Sequence, residues 1–232
     1  MTRLIVLTFV CVATLSQPLE AGFITTNTIA GPTTIDFSTQ ATLINGSGPI
    51  QIGGLIGEDV SVTGNPNSGI SMNSDAWGLG TNGTWGDGRT YVSIEKFDMV
   101  PMLTELIFAF NDGPVSAVGG FMNHAPDLGA DLIITAKDSS MNTLETYNVT
   151  TLAPIVTMGW NGGAFRGIDR GSNNDISYFV VSGIAPAVDD LSFARNGTVP
   201  EPTSLTLWSL GLVGMTFVRL RARRSQSPSN LA

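Results

Sequence analysis

The sequence predicts an all-β fold, an antiparallel two-sheet β-sandwich of jelly-roll type, on three observations. Short runs rich in Val, Ile, Thr and aromatic residues recur along the middle of the 232-residue chain, and these residue types favour a pleated strand. Gly, Pro, Asn and Asp punctuate the runs, with 27 glycines in all, as turns require. Outside the two ends, no stretch holds a helical apolar period for more than about three turns. Strands at such spacing suit two stacked sheets, with a barrel as second choice. A signal helix at the N-terminus and a transmembrane helix at the C-terminus are expected to flank the sandwich.

Residues 1–21 carry one early base, Arg3, an apolar run from Leu4 to Leu15, and a polar stretch ending at Ala21. That is the layout of a secretory signal peptide, and the run is too short for a confident membrane span. Cleavage is expected after Ala21, with Ser16 as the alternative. The lone Cys11 lies inside this leader, so the processed chain holds no thiol for disulfides or catalysis.

The expected strands of the ectodomain (residues 22–196) are Phe23–Ile29, Thr33–Phe37, Ile50–Ile56, Val60–Thr63, Tyr91–Phe97, Leu103–Phe110, Val115–Met122, Asp131–Lys137, Leu144–Thr150, Ile155–Met158, Ile176–Ser182 and Val188–Ala194. In Tyr91–Phe97, Val92 and Ile94 share one face and Ser93 and Glu95 the other, because strand side chains alternate. Leu103–Phe110 is apolar on both faces and reads as a central strand. Phe165-Arg166-Gly167-Ile168 reads as a strand leading to a loop, with Arg166 or Arg170 available to pair with acids. Asn73–Arg89 is too rich in glycine for a strand and reads as a long loop. A body of about 175 residues can bury a sufficient core without staples.

Charge narrows the function classes. Only 13% of residues are charged, about half the ~25% typical of globular domains. Between Gly22 and Val199, six bases face seventeen acids, a net charge of −11. Nucleic-acid binding needs a basic face and is excluded. Divalent cations or cationic partners suit such a surface.

Three groups of residues could carry chemistry. Trp77, Trp85, Tyr91 and Trp160 could present aromatic faces to a sugar ring, or could pin a glycine-rich loop to the core. Asp189 and Asp190 could hold a structural Ca²⁺ with Asp36, Glu58 or Asp59, or could be solvated or turn-capping carboxylates. Asp75 and Asp87 offer a weaker second cation site. In the alternating pattern of Val188–Ala194, Asp189 is expected to share the inward face of Leu191 and Phe193. His124 is the only histidine, and without a G-x-S-x-G elbow or partner ligands it reads as a loop residue rather than part of a triad or zinc site. No ordered cluster of catalytic acids is visible, so a non-enzymatic protein is expected. The sequons at Asn45, Asn82, Asn148 and Asn196 matter only in a host with that glycosylation system.

The C-terminal segment 197–224 carries Pro200-Glu201-Pro202, the apolar run Leu205–Val218, and Arg219, Arg221, Arg223 and Arg224, followed by residues 225–232, expected to be a disordered tail. As a helix the apolar run spans about 21 Å, short of the ~30 Å hydrocarbon core unless arginines snorkel. The arginines should stay cytoplasmic by the positive-inside rule. This three-part order resembles the PEP-CTERM sorting signal of bacteria, although the stretch after the arginines departs from many members. The resemblance implies export through the secretion translocase and recognition by an exosortase-type membrane enzyme. It further implies transient anchoring in the inner membrane, then delivery to the cell surface or exopolysaccharide matrix, often in biofilm-forming species. The body similarly resembles the jelly-roll ectodomains of such clients at Ile35–Phe37, Val118–Phe121, Ala164–Ile168 and Val188–Phe193, without an activity being implied. The expected function is thus that of an exported surface or matrix protein that binds polysaccharide or Ca²⁺. The rival is a polysaccharide-active hydrolase on the same fold.

Overall fold

The computed structural model describes residues 22–37, 46–66, 68–73, 91–96, 103–124, 129–155 and 164–196, and all its strands belong to the unit Met1–Arg195. The expected signal and transmembrane helices lie outside the described residues. So do Trp77, Trp85, Trp160, Asp75, Asp87 and the sorting motif. Among the described residues no helix is long and apolar enough to cross a membrane.

The described strands are β1 (Gly22–Ile24), β2 (Thr33–Ile35), β3 (Ile50–Gln51), β4 (Val60–Gly64), β5 (Ser68–Asn73), β6 (Tyr91–Lys96), β7 (Thr104–Phe110), β8 (Ala117–Asn123), β9 (Ile133–Lys137), β10 (Thr143–Asn148), β11 (Ala164–Asp169), β12 (Tyr178–Gly183) and β13 (Ala187–Ala194). One sheet runs β1-β11-β8-β13-β6-β5, with β2 also paired to β13; the other runs β10-β9-β12-β7-β4-β3. Every pairing is antiparallel. The all-β sandwich expected from the sequence is the fold observed.

Alternation places the core. Val60 and Val62 on β4, Leu106, Phe108 and Phe110 on β7, and Ile134 and Ala136 on β9 are buried, while the residues between them are half-buried. From the facing sheet come Val92, Ile94, Val118, Met122, Ile168, Leu191 and Phe193. Phe110 meets Phe193 across the layers at 5.1 Å between ring centres, and Phe108 lies 6.4 Å from Phe179. Such pairs add about 0.5–1.5 kcal/mol beyond area burial.

Several elements differ from expectation. β7 lies inside its sheet, between β12 and β4, yet only one of its faces is fully buried. The run after Gln51 ends in a 3-10 turn, Gly54–Ile56, that leaves Leu55 71% exposed, so strand pairing there stops at Gln51. After β10 the chain turns into one helical turn, α1 (Val149–Leu152), because the Asn148 side chain accepts from the Thr151 amide at 3.0 Å as an N-cap. Strand β5, SGISMN, was not expected: Ser, Gly and Asn have low strand propensity, and pairing with β6 overrides it.

The strand on which the first sheet turns is β13. It pairs along its length with β8, but its other edge changes partner: Ala187 and Val188 face β6, whereas Leu191 to Phe193 face β2. At the change, Asp189 pairs with Phe121 and Ser192 with Gly119, so one extra residue is accommodated as a β-bulge. Asp190 has φ +48° there, a left-handed conformation unusual for a side-chain-bearing residue. Gly120 faces the bulge. A Cβ on it would lie 2.8 Å from Val188 Cγ1 and 2.9 Å from the Asp189 carbonyl oxygen. Replacing Gly120 with Ala should therefore lower stability by about 1–3 kcal/mol, read as a reduced urea midpoint at unchanged m-value.

Candidate functional site

The bulge corrects the expected placement of Asp189. Val188, Leu191 and Phe193 all enter the sandwich core. The extra residue shifts the phase, so Asp189 shares the outer face with Ala187 rather than the inner face with Leu191 and Phe193. Asp189 is 2% exposed and accepts the Asp190 amide at 2.8 Å. Ser192 donates to the Asp190 carbonyl at 3.0 Å and meets Thr34 at 2.9 Å and Asn27 at 3.4 Å. The spacing of apolar residues at 188, 191 and 193 was the sequence signal for this bulge. Its three-residue first step cannot belong to a regular strand.

Around Asp189 the outer face of the first sheet is itself buried. Across the ladder stand Phe121 on β8 and, by continuation of the Val188–Val92 register, Tyr91 on β6. Tyr91 is fully buried and packs with Ala187 and Phe121. It is therefore removed from the proposed sugar-stacking rings, which need an exposed face. Phe121 meets the Phe165 ring edge-on at 5.9 Å. Asn123, Ser93 and Ser192 are buried in the same layer.

The acids suggested as co-ligands of a cation do not gather. Arg195 holds Glu58 at 2.6 Å and caps the core by lying 5.5 Å over the Phe193 ring. Asp59 accepts from Gln51 at 2.6 Å and Asn111 at 2.9 Å, and its amide donates to Asp112 at 2.5 Å. This exposed network joins the β3–β4 turn to the turn after β7, and the two amide side chains hold the Asp59 carboxyl below the usual range. Glu58 is thus committed to Arg195, five residues beyond Asp190 in the chain. Asp36 alone comes close, since it follows Ile35, the partner of Leu191. Among the described residues no group of three or more His, Cys, Asp or Glu side chains could hold a metal ion.

The two arginines behave differently. Arg170 pairs with Glu145 and with Asp175 at 2.9 Å. Arg166, 8% exposed, donates instead to carbonyls: to Ala153 at 2.9 and 2.7 Å, Phe165 at 2.7 Å, Pro154 at 3.4 Å and Thr25 at 3.5 Å. It ties the end of α1 to β11 and to the segment after β1. Asn148 is similarly committed, since its amide donates to Asp131 at 2.6 Å while it caps α1.

No protein-family model matches the chain, and no curated protein matches it. A solved structure that matches is the enzymatically active domain of tailspike protein 4 of bacteriophage CBA120, at 15% identity and a TM-score of 0.28. The match covers 58% of this chain and 18% of the tailspike chain. Likeness at this level carries no argument about activity.

His124 follows β8 and is 3% exposed, and among the described residues its Nδ1 has no hydrogen-bond partner. Burial pulls its pKa below the usual ~6.5, with Asp131 pulling weakly the other way. Unfolding frees the imidazole to take a proton at a higher pH than the folded state allows. Stability should therefore fall as pH drops below about 6.5. Urea midpoints at pH 7 and pH 5 should show this loss in the native protein and a smaller loss in His124→Gln.

Proposed function

We propose that the protein is an exported, non-enzymatic component of the cell surface or extracellular matrix, built on a jelly-roll sandwich and delivered by its C-terminal segment. The observation that carries this reading is the order Pro200-Glu201-Pro202, Leu205–Val218, then Arg219, Arg221, Arg223 and Arg224. An apolar run of this length stopped by arginines would hold the chain in the inner membrane with residues 22–196 outside. The Pro-Glu-Pro sequence would then be the part presented to an exosortase-type enzyme just beyond the bilayer. A sandwich whose sheets interleave strands distant in sequence, as β13 lies between β8 and β6, supports the jelly-roll reading.

Exopolysaccharide is the partner this location offers, and Trp77, Trp85 and Trp160 are the rings left to meet it once Tyr91 is withdrawn. A polysaccharide-active hydrolase needs one carboxylic acid kept protonated beside a second carboxylate. Asp59, held ionised by Gln51 and Asn111, is unsuited to the acid role. Mass spectrometry of surface-localised protein should find a C-terminus upstream of Arg219; an intact Arg224 there would contradict sorting by cleavage. Retention on the producer's own exopolysaccharide should fall at least several-fold in Trp77→Ala/Trp85→Ala, and unchanged retention would remove the stacking platform.

A further inference from the structure

Asp169, the last residue of β11, is 4% exposed, and the bond it makes is to a neighbouring backbone amide, that of Gly171 at 2.7 Å. Among the described residues no cation pairs with it. Arg170, next in the chain, is turned to Glu145 and Asp175. A carboxylate buried to this degree is costly without a counter-charge.

Directly opposite Asp169 in the ladder stands Gly22, the first residue of β1. Opposed residues in antiparallel strands bring their Cβ positions within about 4.5–5.5 Å. Gly22 has φ +151°, a conformation that L side chains rarely adopt. Its surroundings are firmly built. A Cβ on Gly22 would lie 3.6 Å from the Tyr147 hydroxyl, which donates to Glu145 at 2.7 Å. The Phe23 ring stacks on Tyr147 at 5.2 Å.

We propose that the mature protein begins at Gly22 and that its α-ammonium group is the counter-ion of Asp169. Hydrolysis of the Ala21–Gly22 peptide bond leaves the carboxylate on Ala21 and a protonated amine on Gly22. A peptide nitrogen, which carries no charge, thereby becomes a cation beside the buried carboxylate. Cleavage after Ser16 would instead retain Gln17–Ala21, moving the ammonium five residues away and adding the Glu20 carboxylate two residues from Gly22. Leader removal thus completes an ion pair that fastens the edge strand β1. This inference rests on the export reading for the removal of the leader, but the pairing with Asp169 is testable apart from it.

N-terminal sequencing of the exported protein should begin at Gly22. A start at Gln17 would overturn the proposal, while a cell-retained protein still carrying Met1 would overturn the export reading. Separately, the chain from Gly22 to Ala232 can be released from a cleavable fusion and compared with one starting at Gln17. The Gly22 chain should have the higher unfolding midpoint at pH 7, and Asp169→Asn should abolish the difference. By NMR, the α-amine of Gly22 should titrate about one unit above its usual ~7.7–8.0. The pair stabilises fully below that usual pKa and is lost as pH rises through the raised one. Equal midpoints for the two starts, or an unshifted amine, would overturn the pairing. The titration needs only the native chain, so it decides the matter even if Asp169→Asn does not fold.

Discussion

The sandwich depends on a single irregularity in β13. A regular strand through Val188, Leu191 and Phe193 would send one of them away from the core, because side chains alternate. The extra residue at the Asp189–Asp190 bulge keeps all three inside. The same bulge lets the strand leave β6 and take up β2. Gly120 exists at its position because the bulge leaves no room for a side chain. The carboxylate of Asp189 and the hydroxyl of Ser192, itself bonded to Thr34, then satisfy the backbone amide and carbonyl of Asp190 at the bulge. The acidic pair that looks like a ligand site in the sequence is thereby tied to architecture.

A second constraint operates at the opposite border, where the edge strands β1 and β10 belong to different sheets. Phe23 on Tyr147 joins them by apolar contact, and Arg170 with Glu145 and Asp175 seals the same border by charge. Burial and the neighbouring Glu145 push the Tyr147 hydroxyl up to about 12, so it stays a neutral donor at physiological pH. These contacts hold a strand of only three residues, Gly22–Ile24, which has little ladder of its own.

Much of this was legible in the sequence, because local alternation and turn chemistry agree with the final fold. The positions of β2, β4, β6, β7, β9, β12 and β13 follow directly from runs of Val, Ile, Thr and Phe between turn residues. What was not legible depended on partners distant in the chain. β5 is drawn into the sheet by β6 despite Ser and Gly, Tyr91 is buried by Ala187 and Phe121, and Glu58 is claimed by Arg195 from the far end of the domain. The choice of Arg170 rather than Arg166 for the acids follows the same logic. Arg166 points where carbonyls of the α1 turn converge, which no spacing rule announces.

The forked β13 is tested most directly by cross-strand NMR contacts in the folded protein. The account predicts backbone contacts from Val188 to Val92 and from Leu191 to Ile35 in the same molecule, with Asp189 on the face opposite Leu191 and Phe193. An unbroken ladder that places Asp189, Leu191 and Phe193 on one face would contradict it.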